Sequence, residues 1–118
     1  MTIKRIVANI QTDRVEEVRA FYAELLELET VMDQGWIVTL ATGEIAPVQV
    51  SIASEGGAGT PVPDLSIEVD DVDAVHLRAV AQGHKIIYGP IDEPWGVRRF
   101  YLKDPAGKTL NILSHRSA

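Results

Sequence analysis

Asp13-Arg14-Val15-Glu16-Glu17-Val18 and Asp70-Asp71-Val72-Asp73-Ala74-Val75 carry acids at their first and fourth positions and valines at their third and sixth, at an offset of 57 residues. That offset is close to half of the 118-residue chain, so the sequence reads as two related modules. A chain of this length holds one ordinary domain, and residues 1–118 are expected to form a single domain with modules 1–55 and 64–118. Residues 56–63 lie in a stretch, Ser54 to Pro63, whose glycines allow turning and whose prolines discourage helix and ladder pairing; they are read as the linker.

Working outward from the repeat, each module opens on an alternating apolar segment, Ile6 to Gln11 and Leu65 to Val69, predicted to be strands. A helix follows in each, with Asp13 and Asp70 as the expected N-caps and Glu16 and Asp73 near the positive dipole end. The first helix carries the stripe Val15, Val18, Phe21, Tyr22, Leu25 and Leu26. The second carries Val72, Val75, Ala79 and Val80 before Gly83 as C-cap. Three more strands are predicted after each helix. In the first module they are Thr30 to Asp33, Trp36 to Ala41 and Val48 to Ala53, divided by Gly35 and by Thr42-Gly43. In the second they are Lys85 to Tyr88, Val97 to Lys103 and Thr109 to Ser114, divided by Gly89-Pro90, Pro94-Trp95-Gly96 and Pro105-Ala106-Gly107. The class is α+β: two tandem βαβββ modules whose mixed sheets leave one face free of helix and form a concave cup.

Strand alternation assigns the faces. Leu65, Ile67, Val69, Phe100, Leu102, Leu110 and Ile112 pack toward the helix, which turns Asp64, Ser66, Glu68, Val97, Arg99, Tyr101, Thr109, Asn111, Leu113 and His115 to the opposite side. The offset of the repeat places Val7, Asn9 and Gln11 there in the first module. Of the remaining histidines, His76 in the second helix and His84 just beyond it read as solvated. Arg98 points away from Arg99 and reads as a pin for an exposed edge.

Glu93-Pro94-Trp95-Gly96-Val97-Arg98-Arg99-Phe100-Tyr101-Leu102-Lys103-Asp104-Pro105-Ala106-Gly107 resembles the second-module signature of the vicinal oxygen chelate superfamily, which includes glyoxalase I, extradiol dioxygenases, and fosfomycin- and bleomycin-resistance proteins. Phe21-Tyr22 followed by Leu25-Leu26 is similar to the first-helix signature of that group. In its metal-dependent members a divalent ion sits on a His of each module's first strand and a Glu of each last strand. The resemblance places three of those positions here on Val7, Asp64 and Asn111, and the fourth between Val48 and Ile52, where Gln49 is the only polar candidate of useful reach. Valine cannot ligate, and neutral amides suit transition metals poorly, so neither metal nor any other cofactor is expected.

Two functions stay open. The first is a metal-independent binding protein resembling the bleomycin-resistance proteins, taking a small organic ligand against Trp36, Asp64, Glu68, Trp95, Arg99, Tyr101 and Asn111. The second is a glyoxalase- or lyase-type enzyme in which Glu68 or Asp64, its pKa raised by burial, acts as general base. The formal charge of −6 disfavours phosphate backbones and tilts the ligand toward a cation, whereas Arg99 argues locally for a carboxylate or carbonyl. Nucleic acid and membrane are not expected as partners. The chain has no cysteine, no apolar run of the roughly 18 residues a membrane span needs, and no apolar stretch after Met1. A cytoplasmic homodimer is the accompanying expectation.

Overall fold

The computed structural model describes residues 3–26, 28–41 and 49–116, without the side chains of Tyr22, Leu25 and Leu26. Those three members of the helix stripe, together with Thr42-Gly43 and Val48, lie outside what is described. The order is β1 (Ile3–Gln11), α1 (Val15–Leu26), β2 (Glu29–Asp33), β3 (Ile37–Ala41), β4 (Gln49–Ala53), β5 (Leu65–Val69), α2 (Val72–Ala81), β6 (Ile86–Asp92), β7 (Val97–Lys103) and β8 (Thr109–His115). This is an α+β fold of two βαβββ modules. Among the described residues no helix is long and apolar enough to cross a membrane.

The chain divides into two compact units, Val7–Val62 and Met1–Ile6 with Pro63–Ala118. In the first, β1 runs parallel to β4, and β4, β3 and β2 follow antiparallel. Val38, Leu40 and Ile52 form its core, with Ile10, Val15, Val18, Leu28 and Val50 against them. Phe21 departs from the expected stripe and is 58% exposed. The Thr12 hydroxyl accepts from the Arg14 N–H at 3.0 Å, and the Arg14 carbonyl takes the bond from Val18 N. Arg14 rather than Asp13 therefore stands at the cap position.

In the second unit β5 runs parallel to β8, and β8, β7 and β6 follow antiparallel. Val69, Val72, Ala79, Phe100 and Ile112 make its core under α2. Leu65 and Val80 were expected in that core and are instead 36% and 53% exposed. The α2 cap is Asp71, one residue later than expected: its extended backbone lets the carboxylate accept from Ala74 N–H at 3.1 Å. At the other end Gly83 has φ +81 and donates to Val80 O, while His84 N–H reaches Ala79 O, the paired bonds of a Schellman ending. His76 is not simply solvated, since its ring meets Phe100 edge-on at 5.3 Å. Arg98 spans Asp73 and Asp92 at 3.0 and 3.3 Å.

The largest departure is β6, which continues through Gly89-Pro90 to Asp92 instead of stopping at Tyr88. It is an edge strand whose pairing with β7 shifts register on both sides of Tyr88. An edge with bulges accommodates a proline that no ladder bond needs. At Gly89 a Cβ would stand 2.4 Å from the Arg99 carbonyl oxygen, so the absence of a side chain lets the two backbones approach.

Candidate functional site on the helix-free face of the second unit

Cross-strand register builds this face. Ser66 pairs with Asn111, Asn111 with Tyr101, and Tyr101 with Tyr88, giving one row across four strands. The neighbouring row runs Glu68, Leu113, Arg99 and Ile91. Because alternation sends Phe100, Leu102 and Ile112 under α2, the residues between them must turn to this side.

Arg99 is 3% exposed, with both terminal nitrogens engaged. One terminal nitrogen donates to the Tyr101 hydroxyl at 2.9 Å, and the other lies 3.5 Å from Glu93 Oε2. Its guanidinium stands 5.0 Å from the Trp95 and Tyr101 ring centres and 5.3 Å from that of Tyr88. The Tyr88 hydroxyl donates to the other Glu93 oxygen at 2.6 Å. Burial first, and then that acceptor, push the Tyr88 phenol above its ordinary 10 against the opposing pull of Arg99.

Asn111 is 7% exposed. Its Nδ2 donates to the Ser66 hydroxyl at 3.1 Å, while Oδ1 is buried with no hydrogen-bond partner among the described residues. Glu68 is held by Arg5 at 2.5 Å and by His115 Nδ1 at 3.2 Å. Burial pushes its carboxyl up, but the Arg5 bond and charge, with His115, outweigh it and hold the group below 4.5. This is opposite to the upward shift the general-base reading needs. Asp64 is exposed at the head of β5, where Oδ2 accepts the Thr109 N–H at 2.8 Å.

The second unit thus brings together Glu68, Trp95, Arg99, Tyr101 and Asn111. Asp64 stands at the start of β5, and Trp36 belongs to the first unit, half-buried ahead of β3 with its carbonyl accepting from Ser54 N–H. On the first unit's own helix-free face Thr39 and Ser51 share a buried hydroxyl bond of 2.6 Å. Sequence reasoning missed Glu93, Tyr88, Arg5 and the Ser66–Asn111 bond. Ser66 carried a signal, its parity with Glu68; Glu93 carried none, because it lies in the loop after an irregular strand.

The positions where the resemblance would put metal ligands do not fit a metal here. Val7 offers no donor, the Asp64 carboxylate caps a backbone N–H, and Gln49 and Asn111 are neutral amides. Among the described residues no three His, Asp or Glu side chains are grouped to hold an ion.

Residues 2–112 match the description Glyoxalase/Bleomycin resistance protein/Dioxygenase superfamily. A solved superfamily member from Vibrio splendidus 12B01 is similar at TM-score 0.65 and 15% identity, over 97% of this chain and 99% of that one. A protein described as an NAD-dependent benzaldehyde dehydrogenase from Legionella pneumophila is similar at TM-score 0.76 and 17% identity, over 95% and 100%. The methylmalonyl-CoA epimerase from Mycobacterium tuberculosis gives TM-score 0.64 and 16% identity, over 98% and 88%. At these identities the likeness is one of fold. No curated protein matches the chain by sequence.

Proposed function

The chain belongs to the glyoxalase/bleomycin resistance protein/dioxygenase superfamily, and on that premise we propose that it is a metal-independent protein that binds a small organic molecule on the helix-free face of its second unit. The observation that carries this reading is Asn111. A buried amide oxygen left without a partner costs about 1–3 kcal/mol, a cost that a ligand donor removes on binding. Arg99, Glu93, Tyr88 and Tyr101 act as a fixed wall, Ser66 orients the amide, and Trp95 offers an aromatic surface over Arg99. The enzyme reading is less well supported: the Glu68 carboxyl is held by Arg5 and His115 below its ordinary range, so it is a weak base, and the Asp64 carboxylate already accepts the Thr109 N–H.

The test is a thermal-shift and tryptophan-fluorescence screen of small aromatic compounds, run with and without chelator, beside elemental analysis of the protein. Expected are binding that ignores chelation, ligand recovered unchanged, and no stoichiometric metal. One tightly held ion per chain, with binding lost on chelation, would overturn the proposal. Turnover abolished by Glu68→Gln would replace it with the enzyme. The same reading takes the protein as a cytoplasmic homodimer, which sedimentation at micromolar concentration checks.

A further inference from the structure

Resting on the binding function just proposed, we infer that the ligand is a hydrogen-bond donor, uncharged or cationic at the end that enters the site, and not a carboxylate. The face contains an arginine, which would ordinarily suggest an anion, but the charge of that arginine already faces Glu93. Glu93 lies against one guanidinium nitrogen, the Tyr101 hydroxyl takes a bond from another, and three aromatic rings stand over the cation. Arg5, the second cation, is bound to Glu68. Lys103, two residues beyond Tyr101, is exposed across the ladder from Thr109, whose N–H is already held by the Asp64 carboxylate. An incoming carboxylate would therefore lose its hydration to meet Arg99 and Arg5, cations that Glu93 and Glu68 already face.

Asn111 presents a buried group of the opposite kind. Asn111 Oδ1 is an acceptor, and the Nδ2 beside it is already bound to Ser66. An amidine, amine or amide N–H satisfies this oxygen; a carboxylate or ketone oxygen would face it lone pair to lone pair. The overall charge of −6 acts in the same direction on a cation approaching from solvent.

Three probes of nearly the same shape separate the cases: benzamidine, which only donates and is cationic; benzoate, which only accepts and is anionic; and acetophenone, which only accepts and is neutral. Binding to the intact protein is followed by titration with nitrogen-15 NMR, reading the Asn111 side-chain amide. Benzamidine is expected to bind at least about tenfold more tightly than either other probe and to shift that amide. Asn111→Leu, of similar volume, is expected to remove that preference. In Glu93→Gln, which uncovers the Arg99 charge, benzoate is expected to gain about tenfold. Tighter binding of benzoate or acetophenone at Asn111 overturns the inference and leaves the binding function standing. A folded Glu93→Gln protein with unchanged benzoate affinity also overturns it, by removing the reason anions are barred. Failure of all three probes to shift any resonance of this face overturns the binding function itself.

Discussion

Glu93 and Arg99 face each other at 3.5 Å, with side chains only 2% and 3% exposed, across the join between an irregular edge strand and its neighbour. Removing either partner leaves the other charged and out of water. Glu93→Gln or Arg99→Met is expected to cost about 3–5 kcal/mol each, and the double variant well under the sum. Urea denaturation of the four proteins checks this; additive losses would mean that the two charges do not depend on each other.

Glu68 gives a pH signature. Arg5 and His115 hold its carboxyl below the ordinary value of 4.5 despite burial. A depressed acid contributes stability that is fully present above its unfolded pKa and is lost as pH falls through the folded one. The wild-type protein should therefore lose stability below about pH 4.5 more steeply than Glu68→Gln. Urea midpoints taken from neutral pH to about pH 3 read the difference, and parallel curves would remove the ion pair from the account.

These two acids also show what the sequence does and does not disclose. Glu68, Arg99, Tyr101 and Asn111 were legible because strand parity is a local property: once Phe100 and Ile112 are core, their neighbours must face away. The partners were not legible. Arg5 is 63 residues from Glu68, and only the three-dimensional arrangement brings them together. Glu93 follows a strand whose register shifts at Tyr88, so no alternation rule carries through to it. The same irregularity hid the length of β6, since Gly89-Pro90 reads as a break unless the strand is known to lie at an edge. The caps were misplaced because Asp13 and Asp70 match in the repeat, yet Asp71 is the residue whose carboxylate reaches a free helix N–H.

Gly89 links that edge strand to the site. A methyl group there meets the Arg99 carbonyl oxygen at 2.4 Å, and φ is +74. Gly89→Ala is expected to cost about 3 kcal/mol or more, the left-handed penalty of about 1–2 kcal/mol plus the displacement of β6 from β7. Gly35→Ala, at φ +83 with open space around it, should show only the backbone part. Thermal unfolding compares them, and equal losses would show that the close approach at Arg99 is not tight.

Ser114 ties together three elements of the second unit. Its hydroxyl donates to the Val69 carbonyl at 2.9 Å and accepts from the Val72 N–H at 3.0 Å, joining the end of β5 and the first turn of α2 to β8. Asp71, by contrast, satisfies a single exposed N–H of the same helix. Ser114→Ala orphans a donor and an acceptor in a half-buried place and is expected to cost about 2 kcal/mol. Asp71→Ala should cost about 1 kcal/mol. Hydrogen exchange then separates a helix effect from a sheet effect: Asp71→Ala should open only the first turn of α2, while Ser114→Ala should also speed exchange of β8 amides. Exchange confined to α2 in both variants would make Ser114 a second cap and nothing more.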